Sequence, residues 1–139
     1  MEAVEASSAI PADVRGAFDA LPEPQRATLL ALRDVVLAAA AETEGVGAIV
    51  ETLKWGEPSY LPARPRVGTT VRLGMTRNGR PAMFVNCQTT LIGTFRDLYG
   101  EAFDFEGNRA LVIPEGELPR AALAHCVALA LTYHRRKRV

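Results

Sequence analysis

The 139-residue chain is poor in the residues on which most metal sites and nucleophile sites depend. It has two cysteines, two histidines and a single tryptophan. Cys87 and Cys126 fit no disulfide framework, and neither His-x-x-x-His nor Cys-x-x-Cys occurs. A glycine-rich phosphate loop and a dinucleotide fingerprint are also missing. These absences argue against a His/Cys metal centre and against common nucleotide-cofactor enzymes, so we predict no metal and no cofactor.

Long hydrophobic runs are missing as well. No apolar stretch approaches the ~20 residues that a membrane-spanning helix needs. The first segment, MEAVEASSAIPADV, is acidic and has no basic region before an apolar one, which is unlike a secretory signal. Two cysteines without a disulfide pattern suit a reducing compartment. We therefore expect a cytoplasmic protein with no membrane partner.

The net charge is zero at pH 7, but the two signs are unevenly distributed. Residues 1–50 carry eight acids and three bases, whereas residues 51–139 carry eight acids and thirteen bases. No acid occurs between Glu57 and Asp97. The arginines of this acid-free segment are Arg64, Arg66, Arg72, Arg77, Arg80 and Arg96. Such a block is usually solvated surface, and it can also mark an anionic partner.

Helical periodicity frames the chain at both ends. The size predicts one compact domain over residues 1–139, with a frayed lead at 1–10. Pro11 favours a short helix to about residue 21, and apolar spacing predicts a second helix at about 24–43, with Gly45 as its C-cap. Pro119 is expected as the first residue of the last helix. The predicted apolar face of that helix comprises Leu123, Cys126, Val127, Ala130, Leu131 and His134.

The middle of the chain predicts antiparallel strands. The segment AIVETLKW is compatible with a strand or a helix. TTVRLGMT and PAMFVN are strand-like, and the Asn-Gly between them is a strong hairpin signal. A strict two-residue turn would set Arg77 opposite Arg80, an unfavourable pair. Either the loop is longer or both arginines point into solvent.

A second hairpin is predicted in FDFEGNRALVI, with a two-residue Gly-Asn turn. In that register the facing pairs are Phe103–Val112, Phe105–Ala110 and Glu106–Arg109. A short helix over TTLIGTFRDLYG, capped by Thr89 or Thr90, lies between the two hairpins. The element order predicts an α+β fold: an antiparallel sheet with the N-terminal and C-terminal helices packed on one face.

Neither cysteine has a histidine in a position to act as the general base that a catalytic thiol needs. Cys126 lies on an apolar helix face, where buried cysteine is usually inert, and His134 is two turns further on, about 12 Å along the axis. For Cys87 we favour a strand thiol facing the core over a thiol activated at a helix N-terminus. The N-terminal acids form no single helical stripe that could hold iron. We predict no catalytic residue.

Polar and aromatic side chains gather at element ends, where binding sites are often found. The candidate binding residues are Glu51, Lys54, Trp55 and Tyr60 in ETLKWGEPSY, Arg72 on a strand, Asn86, Gln88 and Thr90 at a strand-to-helix corner, and Glu106 and Arg109 at a hairpin turn. Free N–H groups at a helix N-terminus and nearby arginines would suit a carboxylate or phosphate. The alternative is that these groups satisfy one another.

The indole of Trp55 is expected to do two things. We predict that it closes the sheet edge by packing and leaves one face available beside Lys54. The hypothesis requires the indole, the Cys87 corner and the Gly107–Asn108 bend to line one common hollow.

Four blocks of the sequence, taken together, resemble those of a known protein family. ETLKWGEPSY, NCQTTLIGTFRDLYG, FEGNRALV and ALTYHRRK resemble the YdhG-like domain of unknown function, in the YdhG/YjbR/CyaY-like grouping. The resemblance extends from about Phe18 to Lys137. It implies a frataxin-related α+β fold and a small, soluble, intracellular protein of bacterial type. Some members look like iron chaperones for iron–sulfur assembly, a role that rests on exposed carboxylates, and the resemblance supplies no catalytic residue.

The leading functional hypothesis is a non-catalytic binding protein for a small anionic ligand or a protein partner. The alternative is an iron-handling adaptor for iron–sulfur assembly, as the family resemblance implies. A third possibility is nucleic-acid contact through the basic segment 58–96. Nucleic acid is disfavoured because only Tyr60, Phe84 and Phe95 interleave with the arginines there, which is poor for stacking on single strands.

Overall fold

The computed structural model describes residues 9–137, and the side chain of Lys137 is left aside. Most of the predicted frayed lead therefore lies outside the described residues. The helices are α1 (Ala12–Asp19), α2 (Gln25–Glu42), α3 (Leu91–Tyr99), α4 (Arg120–Leu131) and α5 (Tyr133–Lys137). The strands are β1 (Ile49–Lys54), β2 (Glu57–Pro62), β3 (Val71–Met75), β4 (Pro81–Phe84), β5 (Asp104–Glu106) and β6 (Ala110–Val112).

The six strands form one antiparallel sheet in the order β1-β2-β3-β4-β6-β5. Leu73, Met83 and Leu111 are neighbours across β3, β4 and β6, and all three belong to the main core beneath the helices. Because side chains alternate along a strand, Phe84 and Ala110 point to the opposite face and form a separate small cluster. The α+β architecture with the terminal helices on one side of the sheet is confirmed.

Helix α2 follows its predicted bounds closely. Leu29, Leu32 and Val36 are fully buried, as their spacing requires of a core-facing stripe. The predicted C-cap is wrong, because Thr43 caps the helix in an extended conformation. Gly45 lies two residues later with φ +92°, so its conformational freedom serves the following turn.

The C-terminal helix ends earlier than its apolar pattern indicates. Helix α4 stops before Thr132, whose φ of −117° leaves the helical region, and the short helix α5 follows. His134 is therefore exposed and does not extend the buried face, which contradicts the prediction. Pro119 is the N-cap of α4, one position outside the expected N1. In the part of the chain that is described, no helix is long and apolar enough to cross a membrane.

The hairpins resolve the two register questions. In the first, the Thr76 N–H donates to the Arg80 carbonyl at 2.8 Å, so three residues form the loop and Arg77 does not face Arg80. In the second, Glu106 pairs with Ala110, one residue away from the predicted register. A slip of one residue exchanges the two faces of a strand. It places Phe105 opposite the core residue Leu111.

Candidate functional site

The face of the sheet that the helices leave uncovered carries the candidate site. A row across three strands joins Arg72 of β3, Phe84 of β4 and Ala110 of β6. Small side chains dominate the centre of this open face, and Ala82 and Ala110 are at most 1% exposed although the described helices pack on the other side. The side chains of Arg72 and Arg109 lie over the neighbouring Phe84 ring on this face.

Two arginines converge on the ring of Phe84. The guanidinium carbon of Arg72 lies 5.4 Å from the ring centroid, and that of Arg109 lies 5.6 Å from it. The two residues come from opposite sides of β4, because Arg72 is on β3 and Arg109 immediately precedes β6. Such cation–π contacts hold the guanidinium groups in place while leaving their N–H donors available.

A cleft of about 310 Å³ opens beside this pair. Its polar and aromatic wall is formed by Lys54, Trp55, Arg72, Asn86, Cys87 and Arg109. Thr69, Thr70 and Val85 complete the lining. Gly107 and Asn108 of the predicted bend do not line this cleft, but the structure brings the Trp55 block, the Asn86–Cys87 corner and the adjacent Arg109 to one hollow. We call it the basic cleft.

The charge of the basic cleft is only partly compensated. The Nε of Arg72 donates to Glu57 Oε1 at 2.8 Å, and both side chains are partly exposed. Lys54 and Arg109 form no ion pair with any carboxylate in residues 9–137. The described residues that line the cleft include three cations and no carboxylate, which gives the cleft a positive potential that attracts anions.

A second hollow of about 320 Å³ adjoins the basic cleft and shares Arg109 with it. Glu106 and Arg77 line this second hollow together with Phe84. The predicted cross-strand pair of Glu106 with Arg109 is wrong, because the three-residue turn sets Glu106 opposite Ala110. Glu106 therefore lies next to the basic cleft without lining it.

The environment of Trp55 differs from the expectation. The indole is 88% exposed, so it does not close the sheet edge by packing. Trp55 and Gly56 form the two-residue turn between β1 and β2, with φ values of 56° and 77°. Positive φ at both positions is the mark of a type I′ hairpin turn. The ring therefore contributes little to the core, and Trp55 instead lines the basic cleft.

Glu51 and Tyr60 do not belong to the basic cleft. They face the helices, where the Tyr60 hydroxyl donates to Glu51 Oε2 at 2.7 Å. Arg33 of α2 donates to the same carboxylate, from Nε to Oε2 at 2.5 Å and from Nη2 to Oε1 at 2.9 Å. Burial and the hydrogen bond to Glu51 raise the pKa of Tyr60, and the same carboxylate raises the pKa of Arg33. These are structural residues, and their assignment to the site was wrong.

Arg33 is a residue that the sequence reasoning missed, although a signal was present. It lies four residues after Leu29 and three before Val36, within the apolar stripe of α2. It is 2% exposed. A charged residue at such a position needs a buried partner of opposite sign. The buried Arg33 therefore predicts an acidic partner on a neighbouring strand, and Glu51 is that partner.

The strand-to-helix corner is largely self-satisfied. Asn86 Oδ1 accepts from the Gln88 N–H at 2.8 Å, and the Tyr133 hydroxyl accepts from the Thr90 N–H at 3.2 Å. Thr90 is the N-cap of α3, but Thr89 supplies the hydroxyl that accepts from Leu91, at 3.4 Å. The N–H groups of Gln88, Thr90 and Leu91 thus have partners within the protein. Gln88 and Thr90 lie outside the lining of the basic cleft, and only Asn86 contributes to it.

Cys87 is exposed and lines the basic cleft, so the prediction of a thiol facing the core is wrong. The strand ends at Phe84, and the alternation that would have turned Cys87 inward ends with it. Neither histidine lines the cleft, and His125 Nδ1 instead shares a hydrogen bond of 2.7 Å with the Tyr99 hydroxyl. Burial raises the pKa of the Cys126 thiol to about 12, which keeps it protonated.

A larger hollow, about 560 Å³, lies elsewhere, between the start of α2, residues 79–81 and residues 113–118. Its lining is mainly proline and aliphatic carbon, with Arg80 and Glu115 as its charged members. Gln25 Oε1 is buried there without a hydrogen-bond partner in the described part of the chain. We place the candidate site in the smaller basic cleft, because Lys54, Arg72 and Arg109 converge there and can attract an anionic ligand.

The described residues contain no group of three or more His, Cys, Asp or Glu side chains that could hold a metal ion. Comparisons with protein-family models, curated proteins and solved structures find no match to this chain. The resemblance to the YdhG-like family therefore stays a prediction from the sequence blocks.

Proposed function

We propose that this protein is a non-catalytic binding protein that holds a small anionic ligand in the basic cleft. The observation that carries the proposal is the pair of guanidinium groups of Arg72 and Arg109, held over one ring beside an open cleft. Guanidinium groups suit carboxylate and phosphate because their planar N–H forks match two oxygens at once.

The remaining features of the cleft support binding over catalysis. Cys87 is its one nucleophilic thiol, and no histidine or carboxylate among the described lining residues could serve as its base. Lys54 is exposed to solvent, whereas a catalytic lysine is typically desolvated in an apolar pocket. The iron-handling alternative gains no support from the described residues, since their carboxylates do not cluster.

The test is the affinity for inorganic phosphate, measured by calorimetry on the wild type and on Arg109→Gln. The variant should bind phosphate at least about 10-fold more weakly, the equivalent of losing one charged hydrogen bond. Phosphate binding should also weaken as sodium chloride is raised, because the cleft is open to solvent.

The matched control is Arg120→Gln, which removes the same charge from an exposed position at the start of α4. Arg120 should be dispensable for phosphate binding. Equal losses in the two variants would mean that only the overall charge matters, and absence of phosphate binding by the wild type would end the proposal.

A further inference from the structure

From the position of Trp55 we infer that the ligand of the basic cleft carries its oxyanion on a flat ring, and that the indole stacks on that ring. This inference rests on the proposed function and adds the chemical class of the ligand. A nucleoside monophosphate or an aromatic carboxylate has this chemistry.

The first support is that packing does not account for Trp55. Its indole is 88% exposed, whereas Tyr60 and Phe95 are fully buried in the core. A single exposed apolar residue is common on protein surfaces. This one, however, lines a cleft that also holds Arg72 and Arg109, so a flat apolar surface stands beside two anion-binding groups.

The second support is the backbone at the same residue. Trp55 has φ +56° in a two-residue turn, a conformation that asparagine or glycine adopts with less strain than a bulky side chain does. A bulky apolar side chain therefore occupies a turn position whose positive φ and solvent exposure both favour a small polar residue. Strain retained at such a position is typical of a functional residue.

The third support is size. The cleft, at about 310 Å³, is at the lower end of the range for small-molecule sites. That volume suits one ring and one anionic group. A nucleic-acid strand would need further stacking platforms, and Trp55 is the one aromatic side chain that lines this cleft in the described structure.

The experiment compares adenosine monophosphate with ribose 5-phosphate, which carry the same phosphate and differ in the ring. Trp55 is the sole tryptophan, so its intrinsic fluorescence reports on this site alone. Adenosine monophosphate should quench it and should bind at least about 5-fold more tightly than ribose 5-phosphate, as expected for one stacked base. Benzoate and cyclohexanecarboxylate form the corresponding pair for carboxylates, and a ring preference in either pair supports the inference.

Two variants and one further probe separate the outcomes. Trp55→Asn should lose the ring preference in calorimetry while its Tm stays equal or rises, because asparagine suits the turn. Trp55→Phe keeps a ring and should retain part of the preference. Equal binding within both pairs overturns the ring inference and leaves anion binding intact, whereas no binding by any probe overturns the proposed function itself. Affinity for oligodeoxyadenylate that rises with strand length overturns the small-molecule assignment.

Discussion

Replacement of Glu51 by glutamine tests the buried network on the helix side of the sheet. The change keeps the shape of the side chain and removes its charge. Arg33, which is 2% exposed, would then lose the carboxylate that accepts two of its hydrogen bonds. The Tyr60 hydroxyl would retain at most a neutral acceptor in place of Glu51 Oε2. The backbone carbonyl of Ala9 would remain as one partner of Arg33.

The magnitude follows from the burial. Removing one partner of a buried ion pair costs about 3–5 kcal/mol, because the other charge stays buried without compensation. We expect the lower end, about 3 kcal/mol, since the amide oxygen of the introduced glutamine still accepts one hydrogen bond. For a chain of this length each kcal/mol lowers Tm by roughly 3–5 °C, so the melting temperature should fall by about 10–15 °C.

The assay is urea denaturation followed by circular dichroism, with the m-value checked for constancy. The combined replacement Arg33→Met, Glu51→Leu and Tyr60→Phe should recover much of the loss, because an apolar set needs no compensation. A change of less than about 0.5 kcal/mol in Glu51→Gln would refute the reasoning, since that is the range of an ordinary surface substitution. Phosphate affinity of the folded variant should equal that of the wild type.

Three further predictions concern other parts of the molecule. Glu57→Gln should increase phosphate affinity several-fold in calorimetry, because it frees Arg72 from its carboxylate; unchanged affinity would contradict the role of Arg72. Gly68→Ala should lower the free energy of unfolding by about 2 kcal/mol or more in denaturation, because the added Cβ would clash with the backbone carbonyl oxygen of Leu131. An unchanged free energy of unfolding would show that this loop can shift. The free energy of unfolding should fall above about pH 9, because the Cys126 thiol ionises there in the unfolded chain but keeps its proton up to about pH 12 in the folded protein. Cys126→Ala should reduce the slope of this loss by roughly 1.4 kcal/mol per pH unit. A pH profile parallel to that of the wild type would contradict this prediction.

Part of the candidate site could be identified from local sequence features. Polar and aromatic residues at element ends predict a binding role for Lys54, Trp55, Asn86 and Arg109, and the structure places all four in the basic cleft. The wrong site assignments arose because the sequence did not show which face of the sheet each side chain points to. Glu51 is only three residues from Lys54, yet alternation along β1 and the helix cover turn its carboxylate toward Arg33.

The amino-acid sequence alone determined the terminal helices, the helix between the two predicted hairpins and the antiparallel pairing within those hairpins, although it did not predict the pairing of β1 with β2. These properties depend on the spacing of apolar residues and on turn chemistry, which are local. Only the tertiary structure decided that β4 pairs with β6, that the second hairpin has a three-residue turn, and which sheet face each polar side chain meets. The physical reason is that strand pairing and helix cover join residues far apart in the chain, and a shift of one residue in that pairing exchanges the buried face for the open one.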